Sequence, residues 1–298
     1  MSFGQNLRQA IAERGIIPFI GIYDTFSASL AAKYYDALFI SGFGFAASYY
    51  GLPDIGFVAW PDIVAFVQRL RTILPGHHLL VDIDDGYCDP EVACHVVSLL
   101  ENVGASAVVL EDQKRPRKCG HFEGKELMDP DQFQQKLDKV LQTRHDMMVI
   151  ARTDASDVDD IIRRVHAFAE VGPDAILVDA IRDLNLIKEL KQQVQKPFTF
   201  NQIAGGKSPA CDLNQLQSVG VNLVIYSTPC LFAAQTAIDE AMQNLQRRNG
   251  LLPDKGVGVK ECTTILSENL TRRDTNGRVN NGRFVTYQTN FVSPLSIE

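Results

Sequence analysis

The sequence predicts an α/β protein, a closed (β/α)8 barrel of the TIM type. Two observations lead there. Eight short apolar runs alternate with helical patterns, and each run stops at a polar or glycine-containing segment. Strands alternating with helices imply parallel pairing through crossovers, and eight such units in about 230 residues fit a closed barrel. An open doubly wound sheet would use the same alternation, but no Gly-x-Gly-x-x-Gly follows the first run.

Taken in order, Leu7–Glu13 is a short amphipathic helix and Ile16–Ile22 a strand stopped by Tyr23-Asp24. Ser27–Asp36 is Ala-rich and helical, and strand Ala37–Ile40 is halted by Ser41-Gly42-Phe43-Gly44. A turn at Gly51–Asp54 precedes a helix from about Asp62 to Thr72, started by Pro61. Strand Leu79–Val81 runs into Asp82-Ile-Asp84-Asp85-Gly86. Helix Pro90–Val103 then leads to strand Ala107–Leu110, which ends in Glu111. Helix Pro130–Arg144 leads to strand Met147–Ala151, ending in Arg152-Thr-Asp154. Helix Asp159–Val171, closed by Gly172-Pro173, leads to strand Ala175–Val178 and Asp179. Helix Leu184–Val194 leads to strand Pro197–Phe200 and Asn201; helix Leu213–Val219 leads to strand Leu223–Ile225 and Tyr226-Ser227. Leu231–Arg248 is the last long helix.

Residues 1–250 therefore read as one barrel domain. Residues 251–298 read as a partly irregular extension that packs on a neighbouring subunit. Within it, Leu251–Val259 is broken by Pro and Gly, Thr271–Arg283 carries Asn-Gly turn signals, and Phe284–Glu298 is extended.

A chain of 298 residues that is 45% hydrophobic can build a large core. Its net charge of −7 argues against a nucleic-acid partner, which would want a basic face. The six cysteines show neither CxxC nor metal-finger spacing, so they read as reduced thiols. No apolar run approaches the roughly 20 residues that span a bilayer, and no signal-peptide core opens the chain. The expectation is a cytoplasmic protein with no membrane partner.

In such a barrel, chemistry collects at the C-terminal strand ends. Those ends carry Tyr23-Asp24, Ser41-Gly42, Asp82 and Asp84, Glu111, Arg152, Asp179, Asn201 and Tyr226. Each alone could be just the first loop residue; together they describe a polar mouth. Asp82, Asp84 and Glu111 suit a hard cation, Mg2+ or Mn2+, which takes oxygen ligands and keeps waters. Asp85 should point elsewhere by strand alternation. Ser41-Gly-Phe-Gly offers a hydroxyl and backbone amides to an anion, or is simply a tight turn. Arg152 is either a carboxylate partner for substrate or a structural ion pair with Asp154 or Asp179. Gly205-Gly-Lys-Ser208 is either a donor loop or a flexible connection with an ordinary cap. Cys119 stands in a cationic loop, where nearby charges would lower its pKa and favour thiolate or proton exchange near neutrality. His77, His78, His95, His145 and His166 lack partner spacing and read as structural or surface residues.

Seven pieces keep a common order over residues 16–240: Tyr23-Asp24; Ser41-Gly-Phe-Gly with Gly51-Leu-Pro-Asp54; Val81-Asp-Ile-Asp-Asp-Gly-Tyr87; Leu110-Glu-Asp-Gln113; Lys118-Cys-Gly-His121; Ala151-Arg-Thr-Asp-Ala155; and Asn201 with Gly205-Gly-Lys-Ser-Pro209. As a set they resemble the isocitrate lyase/phosphoenolpyruvate mutase superfamily. The Lys-Cys-Gly-His element is similar to its lyase branch. The wider run resembles the 2,3-dimethylmalate lyase, oxaloacetate hydrolase and carboxyphosphonoenolpyruvate mutase types, with methylisocitrate lyase a cousin.

The resemblance implies a Mg2+-dependent C–C lyase acting on a small 2-hydroxy- or 2-oxo-dicarboxylate. It implies catalytic roles for Cys119, Glu111, Arg152, His121 and Tyr23, with Cys119 protonating an enolate. Substrate contacts would come from Ser41, Gly42, Phe43, Asp54, Arg117, Asp179, Asn201 and Ser208. The metal would sit at Asp82, Asp84 and Glu111. A lid over about residues 114–126 and a homotetramer with a swapped last barrel helix are implied as well. P–C bond chemistry of the phosphonomutase kind, or a non-catalytic barrel, are the competing readings. Arg117 stands where the family's lyases often carry Lys, Asp179 where they often carry Glu, and Ala204 where the dimethylmalate type has Glu. The end Tyr226-Ser-Thr-Pro-Cys230 also departs from the family, with Phe232 and Gln235 in place of a following arginine. These departures argue against a tricarboxylate substrate.

Overall fold

The computed structural model describes residues 2–253 and 256–274. Helix α1 (Phe3–Arg14) precedes eight parallel strands that close in chain order. These are β1 (Ile17–Ile22), β2 (Ala37–Ile40), β3 (His78–Asp82), β4 (Ala107–Glu111), β5 (Met148–Thr153), β6 (Ala175–Val178), β7 (Phe198–Gln202) and β8 (Val221–Tyr226). Closure pairs Ile17–Ile20 of β1 with Leu223–Tyr226 of β8. The connecting helices are α2 (Thr25–Ala31), α3 (Gly42–Phe45), α4 (Trp60–Ile73), α5 (Pro90–Asn102), α6 (Pro130–Thr143), α7 (Val158–Val171), α8 (Leu184–Gln193) and α9 (Leu213–Ser218). Two more follow the barrel, α10 (Pro229–Arg247) and α11 (Val259–Asp274). Among the described residues, no helix is long and apolar enough to cross a membrane.

Side chains alternate across each strand, which sets two cores. Phe19, Phe39, Leu80, Val109, Ile150, Leu177 and Ile225 fill the barrel interior, and Leu7 and Ile11 of α1 plug its lower end. The opposite parity, such as Ile22, Ile40, Val81, Leu110 and Val149, packs under the helices. Interior parity continues into Ser41, Asp82, Glu111, Arg152, Asp179, Asn201 and Ser227 at the upper end. The same alternation that fills the core therefore aims these polar groups at one mouth.

Two expectations change. Ser41–Gly44 is not a tight turn: Ser41 caps the short α3, its Oγ accepting from the Gly44 amide at 3.2 Å, and a wide π-type turn (Ala46–Tyr50) follows. The extension is irregular at residues 251–253 and 256–258, as its Pro and Gly breaks predict, but a helix the sequence reading lacked follows. Gly256 and Gly258 precede α11, and residues 271–274 complete it. This segment packs on its own chain against α2 and α4, with Ile265 buried and Asn269 Nδ2 donating to Ser29 Oγ at 2.8 Å. The turns expected through Arg283 beyond residue 274, and the extended end from Phe284, lie outside the described residues.

The base of the loop after β4 is fixed from α7. Arg164 Nη1 donates to the buried Asp112 Oδ2 and to the Met128 carbonyl, both at 2.9 Å. Thr153 Oγ1 and the Asp154 amide donate to the same carboxylate. Burial pushes Asp112 up to about 6 even so, with Asp154 adding to the effect. Replacing Arg164 by Met should leave this acid without a countercharge and cost about 3–5 kcal/mol, read as a lower urea midpoint.

Candidate active site

The β3 and β4 ends bring the acids together. Asp82 closes β3, Glu111 closes β4, and Asp84 sits two residues past Asp82 with φ +50°. Its amide donates to Asp82 Oδ1 at 3.2 Å. Asp85 turns away, as alternation requires, and takes a bidentate grip from Arg115 at 3.0 and 2.8 Å. Tyr87 and Cys88 also have positive φ, and Lys136 Nζ anchors this loop through the Asp85 and Cys88 carbonyls. Left-handed non-glycine residues persist only where their surroundings hold them.

Burial raises the pKa of Asp82 and of Asp84, against the pull of nearby arginines. It raises Glu111 to about 7, again against Arg117 and Arg152. Arg117 is itself 2% exposed. Its Nε donates to Glu111 Oε1 at 2.9 Å, Nη1 bonds Asp54, and Nη2 lies 3.3 Å from Asp84 Oδ1. Arg152 holds Asp154 through both Nε and Nη2 at 2.9 Å, meets Asp179 Oδ2 at 2.9 Å, and reaches Glu111 Oε2 at 3.3 Å. Its fork is thus committed to the protein's own carboxylates, the structural alternative raised by the sequence.

The acid set suits a hard cation. Asp84 Oδ1 and Glu111 Oε2 are buried and accept no hydrogen bond; only the 3.3 Å charge contacts reach them. A Cβ on Gly42 would stand 3.2 Å from Asp82 Oδ2 and 3.3 Å from Asp84 Oδ1, so glycine keeps a cradle open there. Among the described residues, no three acidic, histidine or cysteine groups already stand close enough to hold an ion alone. Water and substrate would have to complete its shell.

The segment between Gln113 and Leu127 covers the mouth. Its ends pair, with the Lys114 amide donating to the Glu126 carbonyl at 2.7 Å. Gln113 clamps the Lys118 backbone in both directions, at 2.8 and 2.9 Å. Gly120 lies against Asp179 and Arg152; a Cβ there would overlap the carboxylate and stand 2.6 Å from Arg152 Nη2. Lys125 bonds the Gly120 carbonyl and lies 3.4 Å from Asp154. The His121 Nδ1 accepts from the Lys207 amide at 2.9 Å, which makes Nε2 the protonated nitrogen of the neutral ring. That Nε2 is buried without a hydrogen bond, 3.9 Å from Asp179 Oδ1. Burial lowers the His121 pKa, so the neutral ring is favoured. Lys207 also pairs with Glu123 at 2.6 Å, tying this segment to the loop after β7.

Nine of the expected residues line one cavity: Ser41, Phe43, Asp54, Asp82, Cys119, His121, Arg152, Asp179 and Asn201. Gly42, Asp84, Glu111 and Arg117 stand directly behind it. Tyr23 and Ser208 do not line it. The Tyr23 carbonyl accepts from Ser48, and Ser208 Oγ is buried without a partner. Sequence reasoning missed Ser227, whose Oγ donates to Asn201 Oδ1 at 2.6 Å while Asn201 Nδ2 donates to Asp179 Oδ1 at 2.8 Å. Its signal was the polar position two residues past Ile225, in the interior parity.

Of the two states the sequence offers for Cys119, thiolate or proton donor, its surroundings favour the thiol. Burial pushes the thiol up to about 11, with Asp54 and Asp179 adding, against the His121 amide and Arg152. The neighbouring Lys118 ammonium turns away to the Gly124 carbonyl at 2.8 Å.

The folded state holds the Glu111 proton more tightly than the unfolded chain, since about 7 exceeds the ordinary 4.5. Its stabilising contribution is therefore complete below pH 4.5 and lost as pH rises through 7. Glu111→Gln, relative to wild type, should gain on the order of 3 kcal/mol between pH 4 and 8. Thermal melts across that range, without added metal, check it.

A family model described as phosphoenolpyruvate phosphomutase matches residues 7–246. The chain is 30% identical over 248 residues to a 2-methylisocitrate lyase of Aeropyrum pernix, covering 80% of each. Its fold matches a crystal structure of 2,3-dimethylmalate lyase with TM-score 0.85 and 27% identity, over 91% of this chain and 94% of that one. It also matches phosphonopyruvate hydrolase in complex with oxalate and Mg2+, with TM-score 0.80 and 25% identity, over 94% of this chain and 99% of that one. The family model spans well over half of the chain, which therefore belongs to the phosphoenolpyruvate phosphomutase family.

Proposed function

We propose that the chain is a divalent-metal-dependent carbon–carbon lyase acting on a small 2-hydroxy- or 2-oxo-dicarboxylate. One observation carries this reading: the half-buried Cys119 thiol lines the same cavity as Asp82, with Asp84 and Glu111 behind it. An ion at Asp82, Asp84 and Glu111, Mg2+ or Mn2+, would supply Lewis-acid stabilisation of negative charge on the oxoacid fragment. The cradle at Gly42 and the kinship with a hydrolase that binds oxalate and Mg2+ support it.

The chain's own residues supply the rest. Ser41 and the Gly42 and Phe43 amides take one carboxylate end of the substrate. Asp179, oriented by Asn201 and Arg152, takes the hydroxyl proton as the C–C bond breaks. The His121 Nε2–H, left without a partner, donates to the oxygen of the departing fragment. Cys119 keeps its proton at neutral pH and delivers it to the carbanion carbon as a general acid. With substrate bound, the Gln113–Leu127 segment lies over the mouth and excludes water that would quench the carbanion. Tyr23 and Ser208 keep at most an indirect part.

Turnover is tested by following pyruvate or glyoxylate from a panel of substituted malates with Mg2+. Cys119→Ser should cost about 10²–10⁴-fold in kcat, the usual worth of a positioned general acid. Unchanged kcat would sink the role given to the thiol. P–C chemistry is the second reading, favoured by the likeness to phosphonopyruvate hydrolase. Phosphorus NMR on phosphonates separates the two.

All six cysteines are free, which supports a reducing, cytoplasmic setting. A homotetramer is supported by α10, whose nineteen residues include none that is buried while Ile238 and Met242 stand exposed. A second copy covering that helix would remove them from water. Light scattering should give four times the chain mass, and a monomer at micromolar concentration would contradict it.

A further inference from the structure

Arg117 heads the fully buried side chains by volume among the described residues, and three acids meet its guanidinium. Nε meets Glu111, Nη1 meets Asp54 and Nη2 approaches Asp84. A guanidinium this deep is tolerated only because those carboxylates offset its lost hydration. Two of the three, Asp84 and Glu111, are also the oxygens that the proposed metal would need. Arg117 comes from the covering segment, while the acids come from the strand ends. A second arginine of the same segment, Arg115, grips Asp85 on the acid loop.

We propose that Arg117 is a built-in countercation, and that it and a divalent ion compete for Asp84 and Glu111, so that metal entry unseats the covering segment. The inference rests on the metal reading above. An ion at Asp84 and Glu111 would leave the guanidinium one full partner, Asp54, and its burial would no longer be compensated. Linkage makes the effect reciprocal: whatever metal does to the closed segment, the closed segment does to metal affinity. Arg115 with Asp85, and the Lys114–Glu126 pairing, stay outside this exchange and would keep the segment tethered while its tip lifts. An arginine suits the role better than a lysine. Its planar fork reaches three carboxylates at once and does not deprotonate, whereas an ammonium is a point charge.

The test uses the full chain and Mn2+ as probe, with free Mn2+ read by electron paramagnetic resonance. Removing a unit positive charge beside the ion should tighten binding, so Arg117→Gln should lower the Mn2+ Kd by about tenfold or more. Arg117→Lys should fall between wild type and Arg117→Gln, and it carries the test if the glutamine variant does not fold. Limited trypsin digestion gives a second readout at Lys118 and Lys125. Added Mn2+ should speed cleavage there in the wild type and leave Arg117→Gln unaffected. Equal or weaker Mn2+ binding by both variants would overturn the proposal, as would Mn2+ protection of the wild-type segment or a wild type that binds no Mn2+. Neither readout uses turnover. A chain that passes both but cleaves nothing would sink the lyase reading and leave this one standing.

Discussion

Four carboxylates cannot be buried at one end of a barrel unless positive charge is buried with them. Asp54, Asp82, Asp84 and Glu111 are each less than a tenth exposed, and so are the two arginines among them. Arg152 is supplied by β5, inside the frame, and Arg117 by a loop. The scaffold thus supplies one of the two arginines from a strand and receives the other from a loop. Most other features of the mouth follow from this arrangement. Asp154 and Asp179 are fixed by Arg152; Asn201 is fixed by Asp179, and Ser227 by Asn201. Gly120 is needed because the loop must lie directly on that cluster.

The barrel was legible because strand parity is a strong signal. Ile150 and Arg152 share a face, as do Val109 and Glu111, and Leu177 and Asp179. A hydrophobic interior residue therefore points two positions ahead to a site residue. Ser227 obeys the same rule after Ile225 and could have been found by applying it once more. Helix α11 was missed because its Ile265 and Asn269 are spaced for a local contact with α2 and α4, while the flanking Gly and Pro residues dominate the pattern.

The chemistry of the loop was less legible, since charges near in sequence need not be near in space. Lys118 adjoins Cys119 but turns to the Gly124 carbonyl, whereas Asp54 and Asp179 arrive from distant loops and oppose ionisation. Arg117 was read as a substrate contact, yet its guanidinium is committed to acids from three other segments. Arg152 had its structural alternative stated beforehand, and the structure shows those ion pairs.

The plug at the lower end bears on how the chain matures. Leu7 and Ile11 are synthesised well before Leu223, which belongs to the same interior core. At about 5–20 residues per second, some 200 residues of synthesis separate the two by roughly 10–40 s. For that interval the N-terminal helix has no finished surface to settle on. Final closure of β1 against β8 is a long-range event, so a segment made before all eight strands is among the last to gain its native environment.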